Sequence, residues 1–394
     1  MLAQDTNRSS AVIGMFALAA VFCLLIQFIP RVHLRAKSRN SNLSERTHQP
    51  SFEIRSAPPI HFPGGHNANR KADFFADSNS PSHWDNDNLY VINSWEQPWV
   101  SSGPSLLKLD PAVPSKFDDP RMTKLWLWLE STYKDDDGTL YAWYHNEIPN
   151  VCPPRTDDLP GYPVVVKIGA LRSKDNGEHW ENLGFILEPD SKSIYCGTQN
   201  QWYAGGRGDF SVVLDSQKKY FYLYFTNYPN DFAEQGLCVA RMKYIDRNSP
   251  RGKVLIWYRS PWSEPGNGGH ATPIIPASVD ITRKDGVTFW GPSIHWNTYL
   301  QQYVMLLNRI KDTTWATEGL YISFNKDVAD PSNWTTPKKI LDREEAIHVN
   351  PAKPGNGWYI QAMGIERGGT DKLAGQIARL FVDGQSRWEI VFSK

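Results

Sequence analysis

From about residue 77 to the C-terminus, apolar and aromatic residues come in short runs separated by polar turns. Residues 205–228, GGRGDFSVVLDSQKKYFYLYFTNY, display the unit most plainly. Residues 210–216 are β-branched and apolar, 216–219 form a turn, and 220–228 are aromatic, which together predict a β-hairpin opened by Asp209. Residues 290–309, WGPSIHWNTYLQQYVMLLNR, follow the same order, and so do residues 78–95, with SPSHW, the turn DNDN and LYVINSW. No run in this region predicts a helix longer than a turn, which argues against an α/β barrel.

The runs group in fours. The second group covers 125–132, 140–145, 164–173 and 183–188; the third covers 210–215, 220–228, 236–245 and 253–259; the fourth covers 293–296, 303–309, 319–325 and 338–341. An incomplete first group begins at 77, and 358–393 supplies about three more strands. Four-stranded units repeating about an axis predict an all-β domain over 77–394, a five-bladed β-propeller closed by its two incomplete terminal units.

The first 73 residues follow a different pattern. After a tail over 1–10, residues 11–30 carry no charged side chain. At about 1.5 Å per residue such a run spans roughly the 30 Å hydrocarbon core. It predicts one transmembrane helix, and the lack of a small-residue cleavage site before Arg31 makes it an uncleaved anchor. Residues 31–73, rich in Ser, Asn, Arg, Pro and His, predict a disordered, flexible tether.

Two signals disagree on the orientation of that anchor. Arg31, Arg35, Lys37 and Arg39 follow the span and only Arg8 precedes it, which by the positive-inside tendency keeps the large domain in the cytoplasm. Cys152 and Cys196 lie in Pro/Gly-containing loops flanking part of one four-strand unit; either they pair, implying an oxidising compartment, or they are two free thiols. Cys23 lies in the membrane run, and Cys238 in an apolar strand, where a buried free thiol is expected. The expectation taken is a single-pass membrane protein with an extracytoplasmic domain.

Composition narrows the function classes. Of 394 residues, 42 are Lys or Arg and 42 Asp or Glu, so the zero net charge gives no electrostatic footprint for nucleic acid. Sixteen Trp and 17 Tyr suit either a packed β core or surfaces that stack on sugars. Residues 173–180, SKDNGEHW, fit S-x-D-x-G-x-x-W, a turn in which Asp175 accepts from nearby backbone amides, Gly177 takes a positive φ and Trp180 caps the hairpin. A degenerate echo, 323–327 followed by Trp334, stands at the matching place in the fourth group.

In a four-stranded antiparallel unit, the loops before strand one and after strand two open on one face, and the loop between strands three and four opens on the other. Asp77, Arg207, Asp209, residues 145–147 and 290–293, Asn227, Asn308 and Glu318 fall on the first face, and Asp175 on the second. The first face is therefore the candidate site.

On these residues the sequence resembles the five-bladed propeller glycoside hydrolases of the arabinanase and β-xylosidase type, with a looser likeness to sialidases through the 173–180 turn; the resemblance covers roughly 77–394. It implies three carboxylates around the channel. Asp77 in ADSNSPSHW matches the first and Asp209 in GDFS approximately matches the second, but Trp290 stands where Glu-Gly-Pro supplies the proton donor. Glu147 and Glu318 are the expected replacements, since a carboxyl packed among Tyr144, Trp143 or Trp315 has its pKa raised by desolvation. The expected catalytic set is thus Asp77, Asp209, Glu147 and Glu318. His83, His145, Arg207, His295, Trp296 and Asn308 are expected to bind substrate, with Arg207 pairing Asp209 and His295 a further proton donor.

Residues 261–269, with Trp262, Glu264 and three glycines, read as a lid loop beside the site. No cofactor or metal is expected: the histidines lack metal-ligand spacing, and no dense Asp/Asn/Gly loop indicates calcium. Arg207-Gly-Asp209 spells an adhesion tripeptide, but at the opening of a strand it does not project as a flexible loop. Two functions compete: a membrane-anchored glycosidase working through carboxylates, and a non-catalytic glycan-binding propeller. Both have a carbohydrate as partner.

Overall fold

The computed structural model describes residues 50–63, 76–154, 161–312, 314–351 and 354–394. The expected span over 11–30, Cys23 and most of the tether lie outside the described residues. Among the described residues, no helix is long and apolar enough to cross a membrane.

Five antiparallel four-strand units follow one another along the chain, the second and third continuous as one sheet through the parallel pairing of Tyr203–Gly206 with Val164–Val166. The first holds β2 (Ser82–Asp85), β3 (Asn88–Trp95), β4 (Gln97–Gly103) and β5 (Val113–Pro114). The second holds β6 (Trp126–Lys134), β7 (Leu140–Ile148), β8 (Val164–Ser173) and β9 (His179–Leu187). The third holds β10 (Tyr203–Leu214), β11 (Tyr220–Asn227), β12 (Gly236–Lys243) and β13 (Val254–Trp257), and the fourth β14 (Phe289–Asn297), β15 (Gln302–Ile310), β16 (Thr317–Asn325) and β17 (Lys338–Asp342). The fifth holds β18 (Gln361–Gly364), β19 (Ile377–Val382) and β20 (Gln385–Ser393), and its outer strand is β1 (Ser51–His61), from the other end of the chain.

The inner strand of the last sheet meets the start of the first. The amide of Ser80 donates to Gln361 Oε1 at 2.7 Å, and the amide and hydroxyl of Ser82 donate to Asp371 Oδ1 at 2.8 and 3.0 Å. The side chain of Asn79 donates to the carbonyls of Phe210 at 3.3 Å and Pro292 at 3.0 Å, linking the first unit to the inner strands of the third and fourth. The ring is closed, and the five units are the blades of a propeller.

Why the strands are almost continuously apolar follows from that ring. Alternate residues of a strand point to opposite faces of its sheet, and here each face packs on the next blade. In β11, Phe221, Leu223 and Phe225 join Tyr141 and Trp143 of the second blade, while Tyr222 and Tyr224 join Ile294, Met305 and Leu307 of the fourth. Equivalent cores separate blades one and two (Ile92, Leu127, Leu129), four and five (Leu306, Ile322, Leu380) and five and one (Val91, Met363, Phe381). Each fully buried Leu or Phe contributes about 1.5–3 kcal/mol.

Two sequence expectations are corrected. Residues 51–61, placed in the flexible tether, are β1: Phe52 and Ile54 pack against the core between blades four and five, and the strand pairs with β20 from Ser51 opposite Ser393 to His61 opposite Gln385. The Pro58-Pro59 pair costs only a break in register between Ser56 and Ile60, which an edge strand tolerates. Within the presumed lid, Trp262–Pro265 is a strand that extends blade three beyond β13, with Trp262 packed on Trp257.

Candidate functional site

Asp209 lies where β10 is bulged. The register against β11 shifts between Gly208 and Phe210, and Asp209 takes a φ of 44°, in the left-handed region. A bulge re-aims a side chain, so residues 207 and 209, which strict alternation places on one face, point apart. Arg207 turns to the carbonyls of Glu188 (3.0 Å), Gly266 (2.8 Å) and Gly269, and burial lowers its pKa to about 10. It is a structural clamp for the 266–269 segment and not the partner of Asp209.

Asp209 is instead held by phenols. Its Oδ1 accepts from Tyr359 at 2.8 Å, and its Oδ2 from Tyr203 at 3.3 Å and from Tyr228. Glycines bring its strand close to blade two: a Cβ on Gly208 would lie 2.6 Å from His145 Nδ1, and one on Gly206 would lie 2.3 Å from backbone atoms of Val166. That approach lets the amide of Asp209 donate to His145 Nδ1 at 3.0 Å.

His145, near the end of β7, is the hub. Its Nδ1 lies 3.3 Å from Glu130 Oε1 and 3.8 Å from Asp209 Oδ1, and its Nε2 lies 3.5 Å from Glu147 Oε1. Trp128 meets the ring edge-on at 5.6 Å. Glu147 accepts from Tyr162 at 2.9 Å through its other oxygen. Asp209, Glu130 and His145 are 0, 1 and 2% exposed and Glu147 7%, whereas Asp77 keeps an intermediate exposure. The outward side of the cluster is therefore formed by Asp77 and Glu147.

Burial raises the Asp77 pKa well above the usual carboxylate range, and the charges of Glu147, Asp209 and Asp383 add to it. Burial likewise pushes Glu130 up to about 7, opposed by His145. Asp383 is pushed to about 7 by burial, although it accepts from the amides of Gly357 at 2.7 Å and Trp358 at 3.0 Å. Around the cluster stands an aromatic wall, with Tyr203 stacked on Tyr228 at 4.2 Å and Trp315 edge-on to both. Trp126, Tyr162, Trp202 and Trp358 continue it in sequence of contact at 5.5, 5.2 and 6.0 Å.

Of the residues expected from sequence, Asp77, Asp209, Glu147 and His145 come together, and the others do not. Glu318, on the third strand of blade four, is bound by Lys339, by Arg309 at 3.3 Å and by Tyr321 at 2.6 Å; burial pushes its pKa up, but these donors bring it below the ordinary value. It is an outer-blade ion pair, because third strands run far from the axis. His83 lies on β2 beyond the mouth, stacked on Tyr90 and 3.3 Å from Asn176 of the 173–180 turn; burial lowers its pKa to about 4. His295 and Trp296 sit towards the turn end of β14, away from its bulge. His295 is fully buried with its pKa lowered to about 3 by burial, and Trp296 lines a separate cavity of about 280 Å³ with Trp143, Tyr303 and Lys372. Asn308 donates to Gly357 O at 2.8 Å and accepts from Ile360 at 3.3 Å, which anchors the segment carrying Tyr359.

Glu130 was not anticipated. It stands where β6 is bulged, between Leu129 and Ser131, and its Oε2 accepts from the amide of Phe210 at 2.7 Å. The signal in the sequence was a lone acid inside the apolar run LWLWLESTY, since a buried unpaired charge is too costly to be incidental. Glu130, His145 and Asp209 offer three ligand atoms within 4.8 Å of one another. The Nδ1 lone pair already accepts the Asp209 amide, so no metal is assigned there. Trp290, fully buried, packs edge-on to Trp315, Trp358 and Tyr359, so an indole fills the position where the resemblance implies an acid.

Cys152 and Cys196 form a disulfide, tying the loop after β7 to the loop before β10, and Cys238 is a buried free thiol. The bond thus braces the two segments that carry Glu147 and Asp209.

No family model and no curated protein sequence matches the chain. Among solved structures it is similar to an exo-β-1,3-galactanase of Phanerochaete chrysosporium, determined as a point variant with β-1,3-galactotriose, at 10% identity over 86% of this chain and 63% of that one, with a TM-score of 0.44. It is also similar to an exo-β-1,3-galactanase of Clostridium thermocellum (11% identity, 86% of this chain, 62% of that one, TM-score 0.46) and to an endo-arabinase of Bacteroides thetaiotaomicron (11%, 80%, 94%, 0.43). The chain spans less than two thirds of the length of those two galactanases.

Proposed function

We propose that this chain is a glycosidase of the propeller type, in which Asp77 is the general acid and Glu147 the carboxylate that activates water. One observation carries the reading: two carboxylates in different surroundings form the outward side of a buried acid cluster. Asp77 has a raised pKa and no side-chain hydrogen bond among the described residues, whereas Glu147 faces His145 and accepts from Tyr162. Glycoside hydrolysis needs that division of labour. Asp77 protonates the oxygen of the leaving sugar while Glu147 takes a proton from the water that attacks the anomeric carbon. Asp209, under its three tyrosines, is a positioning residue for His145.

Anchoring through 11–30 and exposure to an oxidising compartment belong to the same reading, supported by the charge-free run and by the Cys152–Cys196 bond. A second reading, glycan binding without turnover, is favoured by Trp290, buried where the resemblance calls for an acid. A glycan array followed by a reducing-end assay on the bound glycans separates the two. Turnover is expected, with Asp77→Asn and Glu147→Gln each lowering kcat by about 10²–10⁴ and Glu318→Gln leaving it unchanged. Binding without turnover by the wild-type chain selects the second reading.

A further inference from the structure

Two groups compete for one atom at the centre of the site. Asp209 N–H donates to His145 Nδ1 at 3.0 Å, and Glu130 Oε1 lies 3.3 Å from the same nitrogen with no hydrogen-bond partner of its own. An imidazole nitrogen that accepts carries a lone pair and no hydrogen. The amide hydrogen is permanent, so Nδ1 is the acceptor and the ring proton sits on Nε2, 3.5 Å from Glu147 Oε1. An ionised Glu130 would then set a carboxylate oxygen against a lone pair in the dry interior, where an unsatisfied charge is most costly. A single proton on Glu130 removes the charge, and its O–H then shares the Nδ1 lone pair with the shorter Asp209 amide bond.

We propose that Glu130 holds a proton at neutral pH and, as a carboxylic acid pointing at Nδ1, fixes His145 in the tautomer whose Nε2–H faces Glu147. The reverse arrangement, a proton on Nδ1 with Glu130 ionised, would point an N–H at the Asp209 amide, donor against donor. Asp209, Glu147 and Asp77 face the pair from neighbouring elements. Burial opposes a charge on His145, but Asp209, Glu130 and Glu147 outweigh it and raise the His145 pKa well above its ordinary value, while burial pushes Glu130 up to about 7, so the two groups compete for one proton. The fixed amide decides which partner keeps it.

Glu130 touches no substrate in this arrangement; it is a positioning residue, and its assignment rests on the acid–base reading of the site only for its use. The state itself is read without turnover. Histidine ¹⁵N spectra of the full chain at pH 7, with His145→Gln to assign the signal, are expected to show Nδ1 bare and Nε2 protonated. Infrared difference spectra of wild type minus Glu130→Gln are expected to contain one protonated-acid carbonyl band, and the His145 nitrogens are expected to stay in the same state in that variant. A doubly protonated His145 in the wild-type chain, a His145 that loses a proton on Glu130→Gln, or a difference spectrum without the acid band each overturns the proposal. A failure to find any hydrolysed glycan leaves these spectra unaffected, so the two readings fail separately.

Discussion

Glu130 is a carboxyl whose chemistry departs from its type, and its departure has a sign that stability measurements can read. Its folded pKa, about 7, lies above the ordinary 4.5, so between those values the native chain holds a proton that the unfolded chain has released. Stability is greatest below about pH 4.5 on this account and is lost as pH rises through 7. His83 and His295 act in the opposite sense, because they stay neutral in the fold while the unfolded chain takes up protons below 6.5. These contributions cancel when wild type is compared with Glu130→Gln. The stability difference between the two is expected to be largest near pH 4.5 and to shrink by pH 7.5; a difference independent of pH, in denaturant titrations at several pH values, would falsify the shifted carboxyl. At this scale the sequence set Asp77, Asp209, Glu147 and His145 on one face, and the fold brings them together, because a polar residue at a strand end beside the axis has few places to go. It misassigned Arg207 and missed Glu130, because both depend on bulges, and a one-residue slip reverses which way every later side chain points.

The strands themselves were legible, since an apolar run bounded by turn residues needs no knowledge of its neighbours. Hairpins such as β10–β11 and β14–β15 fall where the pattern sets them. What the pattern could not supply was depth. Glu318 opens β16 on the expected face but in a third strand, where Lys339 and Arg309 reach it from the two adjoining strands. The 173–180 turn was readable because its function is local: Asp175 accepts from Ser173 Oγ at 2.8 Å and from His179 N at 2.9 Å, its second oxygen lies 2.7 Å from the His179 ring, and Trp180 is fully buried behind Gly177 at φ 98°. Asp175→Ala removes these acceptor atoms and is expected to cost about 1–2 kcal/mol. Denaturant midpoints measure the cost, and glycan binding is expected to be unchanged because the turn opens away from Asp77. Loss of binding at unaltered stability would contradict that placement.

At the scale of the whole molecule, ring closure depends on β1, the element that composition hid. A propeller whose last blade is completed by the first strand cannot open without breaking the β1–β20 ladder, which runs from Ser51–Ser393 to His61–Gln385. Arg379 adds a hydrogen bond to the carbonyl of Pro58 at 2.6 Å, and Phe52 and Ile54 cover the seam between blades four and five. Both side chains are only partly buried, so together they contribute about 2–4 kcal/mol at the usual worth of apolar burial. A chain beginning at Phe62 is therefore expected to unfold at lower denaturant than one beginning at His48, by roughly that free energy. It should also expose the outer edge of β20, an unpaired row of amides and carbonyls that invites another strand. Light scattering is expected to find the shortened chain self-associating, and a synthetic peptide of residues 50–61 should restore both the monomer and the denaturation midpoint by adding back as a strand. If the shortened chain matches the longer one in midpoint and in mass, β1 is an ornament on a ring already closed by the inner-strand contacts of Ser80 with Gln361 and Ser82 with Asp371.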